Sequence, residues 1–310
     1  MDPCEEGTNS FSCCQLLNAL PTFGITSKID KRSDSLKEMS LLLQLCMLLA
    51  LTAVLAYDVK FFEAPPADKD PGIYYYDMVL HTERQENIKA VLTKVNKPVG
   101  FVHTMPATAE NGCTVHLPTS EIAESYGCKF AINGGPFDMS EGGGCVGSLI
   151  SDGVILQVND TGGFASWGMT KDGRYVFGTQ INSSIVEAEG VVELISGFIG
   201  PLLVEDGKAV HSDAKLIAQR TAIGIDAQGA LLFLTIDGAE GRDRGMNISE
   251  LADAFVELGA VQALNLDGGG STTAWMDGKG YIDRPTCNDY LVPECERDVA
   301  DIICVTAGVE

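Results

Sequence analysis

Apolar positions along the chain fall into three regimes. The first is one uninterrupted run, Ser40 to Ala56 (SLLLQLCMLLALTAVLA), which carries no charge and is dominated by Leu and Ala. At 17 residues it stands at the short limit for a bilayer span of roughly 20. Val54 and Ala56 are small residues at the positions a signal peptidase reads. Residues 39–56 therefore read as a signal peptide cleaved after Ala56, with a short membrane anchor or a buried core helix as alternatives. Residues 1–38 are a polar leader ahead of Met39, and the reading is that translation begins at Met39 or that the leader is not translated. The second regime, residues 57–112, has little clear periodicity, with strands read at Ile73 to Leu80 and Gly100 to Thr104. It is an N-terminal segment or the start of the domain that follows.

From Cys113 onward the pattern sharpens. Thr119 or Ser120 caps a short helix through Tyr126, with Gly127 as its stop, and Lys129 to Asn133 is a strand. Apolar or alternating runs are then separated by Asp152-Gly153, Asp172-Gly173, Asp206-Gly207, Gln228-Gly229 and Asp277-Gly278. Each pair reads as a hairpin turn, because Gly accepts the positive φ such turns demand. One longer helix runs from Ile248 to Leu258, with Ser249 as cap, Leu251, Phe255 and Leu258 on one face and Gly259 as stop. A strand from Val261 to Leu266 follows at once. A chain of hairpins with few helices predicts an α+β fold built on a large mixed, mostly antiparallel sheet.

Composition changes this picture in two places. The chain has 43 acidic and 21 basic residues in 310, a formal charge of −22. Such a surface offers no basic face to nucleic acid and none to an anionic membrane. An anionic substrate must be held by a few local cations or backbone N–H groups against the long-range field. The ten cysteines become six after removal of residues 1–56: Cys113, Cys128, Cys145, Cys287, Cys295 and Cys304. An even number in an exported chain reads as three disulfides, with 15 possible pairings. No C-x-x-C pair is among them and the four histidines show no metal spacing, so neither a metal nor another cofactor is expected. Asn159, Asn182 and Asn247 head glycosylation sequons. The cleaved chain has no membrane-spanning stretch and is expected in the secretory pathway, in the Golgi lumen or outside the cell.

Four motifs can carry chemistry. In Asn265-Leu-Asp267-Gly268-Gly269-Gly270-Ser271-Thr272-Thr273 a buried strand ends in an acid and three glycines. Consecutive glycines can turn N–H groups inward as an anion nest, with Ser271 and Thr272 adding hydroxyl donors. The alternative is a tight structural turn in which Asp267 satisfies backbone N–H groups. Arg220-Thr221 opens an apolar strand and reads as a bidentate phosphate grip or as an edge salt bridge. Asp237-Gly238 ends another apolar strand, as a site carboxylate or a turn cap. Asn133-Gly134-Gly135 runs from a strand into a glycine loop, where Asn133 donates to a ligand or braces the turn. Polar residues at the ends of several strands, each followed by glycines, are how a site is assembled at one edge of a sheet.

Ile132-Asn-Gly-Gly-Pro-Phe137, Arg220-Thr-Ala-Ile-Gly224 and Leu264-Asn-Leu-Asp-Gly-Gly-Gly-Ser-Thr272 together resemble the phosphodiester glycosidase domain family, over about Cys113 to Cys304. The resemblance implies residues 113–310 as the catalytic domain and bridges Cys113–Cys145, Cys128–Cys304 and Cys287–Cys295. It implies hydrolysis of a sugar-1-phosphodiester, with N-acetylglucosamine removed from a phosphodiester on mannose of phosphorylated high-mannose glycoproteins to expose mannose 6-phosphate. By the same resemblance Arg220, Thr221, Ser271, Thr272 and the amides of Gly268, Gly269 and Gly270 grip the phosphate, and Asn133 with Gly134 positions sugar or phosphate. Asp267 or Asp237 is then the carboxylate that stabilises an oxocarbenium-like centre, as nucleophile or as base on water. Pro136 stands where the family usually has an aromatic, which reshapes the sugar pocket. The rival readings are a secreted glycan- or phosphate-binding protein without turnover, and a glycosidase for another phosphodiester or polysaccharide.

Overall fold

The computed structural model describes residues 59–66, 68–288 and 294–307. The leader and the signal-peptide run lie outside the described residues. Strands buried on both faces must be covered from both sides, and this condition sets the architecture. Arg220–Asp226 and Leu231–Ile236 are buried at every position. Along Leu231–Ile236, Leu231 and Phe233 join one apolar cluster, while Leu232, Leu234 and Ile236 join another.

Three sheets supply the inner cluster. The seven-stranded sheet runs Lys208–Ala209, Val204–Glu205, Ala260–Asn265, Arg220–Asp226, Leu231–Ile236, Ile88–Val95, Ile73–Leu80. The six-stranded sheet runs Val59–Glu63, Arg174–Gly178, Phe164–Thr170, Val191–Ile199, Leu149–Ser151, Val154–Gln157. The five-stranded sheet runs Gly280–Tyr281, Ala274–Met276, Phe130–Asn133, Asp301–Val305, Val102–Pro106. Phe130, Ile132, Trp167, Tyr175, Phe177, Ile223, Phe233 and Leu264, drawn from all three, meet in a single core. One helix closes the back of each sheet. Ile248–Glu257 covers the seven-stranded sheet through Leu251 and Phe255, Thr119–Tyr126 the five-stranded sheet through Ile122 and Ala123, and Ser183–Glu189 the six-stranded sheet through Val186.

The mostly antiparallel α+β fold predicted from the hairpin pattern is the fold observed: every ladder between the named strands is antiparallel. The strands divide among sheets because one twisted sheet cannot enclose a core that buries both of its faces. The described residues between Val59 and Cys113 are part of this body, since their four strands enter all three large sheets. All five X-Gly turns join paired strands, and at Asp152-Gly153 and Asp206-Gly207 both residues have positive φ (48° and 79°, 50° and 74°), the tight hairpin geometry. The bridges are Cys113–Cys145, Cys128–Cys304 and Cys287–Cys295.

The helix caps differ from expectation. Ile248–Glu257 is capped by Asn247, not Ser249: Asn247 Oδ1 accepts from the Glu250 N–H at 3.0 Å and Glu250 Oε2 accepts from the Asn247 N–H at 2.9 Å. Ser249 Oγ instead accepts from the Ser212 N–H and donates to its carbonyl. Thr119–Tyr126 begins after Pro118 with no side-chain cap of its own, and the Ser120 N–H is satisfied across the fold by Glu296 Oε2. Ser183–Glu189, which the apolar pattern did not announce, is capped by Asn182. Asn247→Ala removes the side-chain acceptor of this capping box, leaving the Asn247 N–H bond to Glu250 in place, and is expected to cost about 1 kcal/mol in urea unfolding. A loss too small to resolve would mean that packing alone sets the start of this helix.

Candidate active site

Strand ends from two sheets meet at one edge. Ala260–Asn265 lies beside the start of Arg220–Asp226, with Ala222 opposite Asn265. Phe130–Asn133 ends beside Asp301–Val305, with Asn133 opposite Ile302. Asn133 stitches the two sheets together. Its Oδ1 accepts from Thr221 Oγ1 at 2.7 Å and from the Thr273 N–H at 3.2 Å, and its Nδ2 donates to the Asp267 carbonyl at 2.9 Å. The Asp267 N–H returns to the Gly134 carbonyl at 3.0 Å. Of the two readings of Asn133, the structure carries the brace: its amide is spent on the protein, and Thr221 is spent on Asn133.

Gly134 makes room for an acid that motif reading did not find. A Cβ on Gly134 would overlap Asp301 Oδ1, and one on Gly135 would overlap the Ser196 carbonyl oxygen. The Gly135 N–H donates to Asp301 Oδ1 at 2.7 Å. Asp301 is 2% exposed. Burial pushes its pKa up to about 7, opposed by the Gly135 N–H and reinforced by the nearby charge of Asp267. An acid opening a strand that is otherwise apolar, Asp-Ile-Ile-Cys-Val, was the available signal.

Part of the glycine loop expected as an anion nest is closed. Gly269–Ser271 is a 3₁₀ turn in which the Gly269 N–H donates to the Gln219 carbonyl, that of Ser271 to Gly268 and that of Thr272 to Gly269. Gly269 has a φ of +57°, and Gly270 lies against the Arg297 guanidinium. Ser271 and Thr272 are buried, with hydroxyls that find no partner among the described residues. Arg220, also buried, donates from Nε to the Met246 carbonyl at 2.9 Å and from Nη2 to the Leu216 carbonyl at 2.6 Å. Burial pulls its pKa down, and the charges of Glu240 and Asp267 resist that pull. With Asn265 it lines a hollow of about 270 Å³ rimmed by exposed Phe198, Ile199 and Leu216.

Asp237 takes a different position. Arg220 pairs with Ile236, so side-chain alternation puts Asp237 on the face opposite Arg220. Along the sheet, Asp237 and Asp267 extend strands separated by one intervening strand, about 10 Å between backbones. Asp237 lines two adjoining hollows together with Lys89 and Arg284. Its Oδ1 is buried without a partner among the described residues. Burial pushes its pKa up to about 6, against the Arg284 N–H and the charges of Arg284 and Lys89. Beside it Asp283, with both carboxyl oxygens shut off from solvent, is pushed well above the usual carboxylate range by burial. Away from this edge the fold gathers His103, Asp152 and Glu193, with His103 Nδ1 2.7 Å from Asp152 Oδ1, a grouping invisible in histidine spacing.

Residues 126–306 match the sequence model of the phosphodiester glycosidase family. The chain belongs to that family. Among its relatives, N-acetylglucosamine-1-phosphodiester alpha-N-acetylglucosaminidase of Mus musculus is 29% identical over 78% of the chain and 50% of its own length. The Homo sapiens protein of the same name is 28% identical over 78% and 50%. The chain thus spans about half the length of these relatives. The zebrafish catalytic domain of that enzyme, solved in a form auto-inhibited by its pro-peptide, superposes with a TM-score of 0.69 at 25% identity, covering 80% of this chain and 88% of that one. A Synechocystis protein shares the fold, with a TM-score of 0.53 at 17% identity over 76% of this chain and 62% of its own. Among the described residues no helix of this chain is long and apolar enough to cross a membrane.

Proposed function

We propose that the chain hydrolyses a sugar-1-phosphodiester, releasing N-acetylglucosamine from its phosphodiester with mannose on high-mannose glycans and exposing mannose 6-phosphate. The observation that carries this reading is the convergence of three separated motifs on Asp267, whose backbone is fixed by Asn133 and Gly134 and whose charge reaches Arg220 and Asp301. The bond broken is sugar C1–O. Water supplies the hydroxyl at C1 and a proton to the departing phosphate oxygen. A phosphate monoester leaves as a stable anion, so less proton donation is needed than for an ordinary glycoside. Asp267 acts on C1 or its attacking water, and Asp237, held near half-protonation at pH 6, faces the leaving group. The compartment that fits this substrate is the lumen of the secretory pathway or the medium beyond it, which the three disulfides also favour.

A panel of sugar-1-phosphodiesters, read by chromatography of released sugar, tests the proposal. N-acetylglucosamine is expected from the mannose 6-phosphate diester. Tight binding of that diester with no sugar released would instead make the chain a glycan- or phosphate-binding protein, and release only from other diesters would change the substrate.

A further inference from the structure

We propose that the phosphate of the substrate is held by Lys89 and Arg244, with Arg284, in the hollow beside Asp237, and not by the glycine loop. The inference rests on the substrate being a phosphodiester, as read above. The loop is weakened as a phosphate grip because the N–H groups of Gly269, Ser271 and Thr272 already have carbonyl partners and its Ser271 and Thr272 hydroxyls are buried. Arg220 is in a similar condition, with Nε and Nη2 both committed to carbonyls and only 6% of its surface exposed.

The hollow beside Asp237 has what those groups lack. It is lined by Lys89, Arg244 and Arg284, with Asn87 and Thr286 as neutral donors. Three cations around one small space are notable in a chain with 21 basic residues against 43 acidic ones. Among the described residues neither Lys89 nor Arg244 makes an ion pair, so their charge is available. Arg284 is held by Glu294, at 2.9 Å from Nη2 and 3.1 Å from Nε. Thr286 Oγ1 accepts from Gln219 Nε2, which leaves its own proton to donate. The space is about 70 Å³, and at ~10–15 Å³ for each water-sized group it admits about five such groups, the heavy-atom count of a phosphate. It adjoins a larger hollow of about 390 Å³ that shares Lys89, Asp237 and Arg284, where the rest of a glycan can lie. Its own acidic group is Asp237; Asp77 and Asp283 line the adjoining hollow, and Glu294 is bound to Arg284. Burial raises the pKa of Asp283 and brings that of Asp237 to about 6, which lessens the negative charge set against the three cations in a mildly acidic lumen.

Inorganic phosphate is the probe, titrated calorimetrically into the full chain, alongside steady-state kinetics on the mannose 6-phosphate diester. Lys89→Ala and Arg244→Ala are expected to weaken phosphate binding at least tenfold each and to raise KM more than they lower kcat, with the melting temperature unchanged. Arg220→Lys, which keeps the buried charge, is expected to leave phosphate affinity within about twofold. Arg284 is not substituted, because its loss strands Glu294. Phosphate binding that is absent in the parent chain, or that survives both alanine variants, overturns the proposal even if the diester is cleaved. Binding lost with Lys89 and Arg244 but no cleavage of any sugar-1-phosphodiester leaves this site standing and removes the glycosidase reading.

Discussion

Asp267→Asn is expected to lower kcat/KM on a sugar-1-phosphodiester by about 10³–10⁴-fold and to leave the melting temperature within a degree or two of the parent. The reason for so clean a separation is that the fold holds Asp267 by its backbone. Its N–H donates to the Gly134 carbonyl and its carbonyl accepts from Asn133 Nδ2, and an asparagine keeps both. What disappears is one negative charge at the strand end where three motifs meet. Arg220 keeps the compensating field of Glu240, so the substitution does not leave a buried guanidinium alone. Melting curves and initial rates on the same preparation check the prediction. A folded Asp267→Asn enzyme that retains activity would remove Asp267 from the chemistry.

Asp301→Asn is expected to do the reverse, stabilising the protein in a pH-dependent way. An unfolded aspartate titrates near pH ~3.9, whereas Asp301 in the fold is pushed up to about 7. Between those values the folded state binds the extra proton, so stability falls as pH rises through the window and the penalty is complete above it. A shift of about three units corresponds to about 4 kcal/mol at neutral pH. Asparagine keeps the acceptor for the Gly135 N–H and cannot ionise. The variant is therefore expected to unfold about 2–4 kcal/mol later in urea at pH 7.5 and to match the parent at pH 4. A variant destabilised at pH 7.5 would show that the carboxyl is kept in that space by interactions worth more than its desolvation.

The apolar pattern made much of the local structure legible. Turn residues at five hairpins need only Gly at a positive φ, a property of the residue itself, and all five join paired strands. The helix Ile248–Glu257 was readable for the same reason, since its apolar stripe is periodic. Its cap was misplaced by two residues because Ser249 and Asn247 are equally good capping types, and only the position of Glu250 and the demands of Ser212 separate them. The site divides along the same line. Acids and glycines at strand ends marked its segments, but their roles depended on neighbours far away in the chain. Whether Asn133 meets a ligand or a brace depends on Thr221 and Thr273, and whether the glycine amides are open depends on a turn that closes on itself.

By itself, then, the amino-acid sequence determined the antiparallel α+β class, the family, and the need for a local cationic pocket in a chain of net charge −22. Those properties follow from residue type, spacing and sums of charge, none of which needs contact between distant positions. Only the tertiary structure decided that the strands divide around one core with a helix behind each large sheet, that Asp301 is buried against Gly135, and that Lys89, Arg244 and Arg284 come together beside Asp237. Burial and proximity are created by packing, and the desolvation that shifts a carboxyl or frees a cation for a ligand has no counterpart in the linear chain.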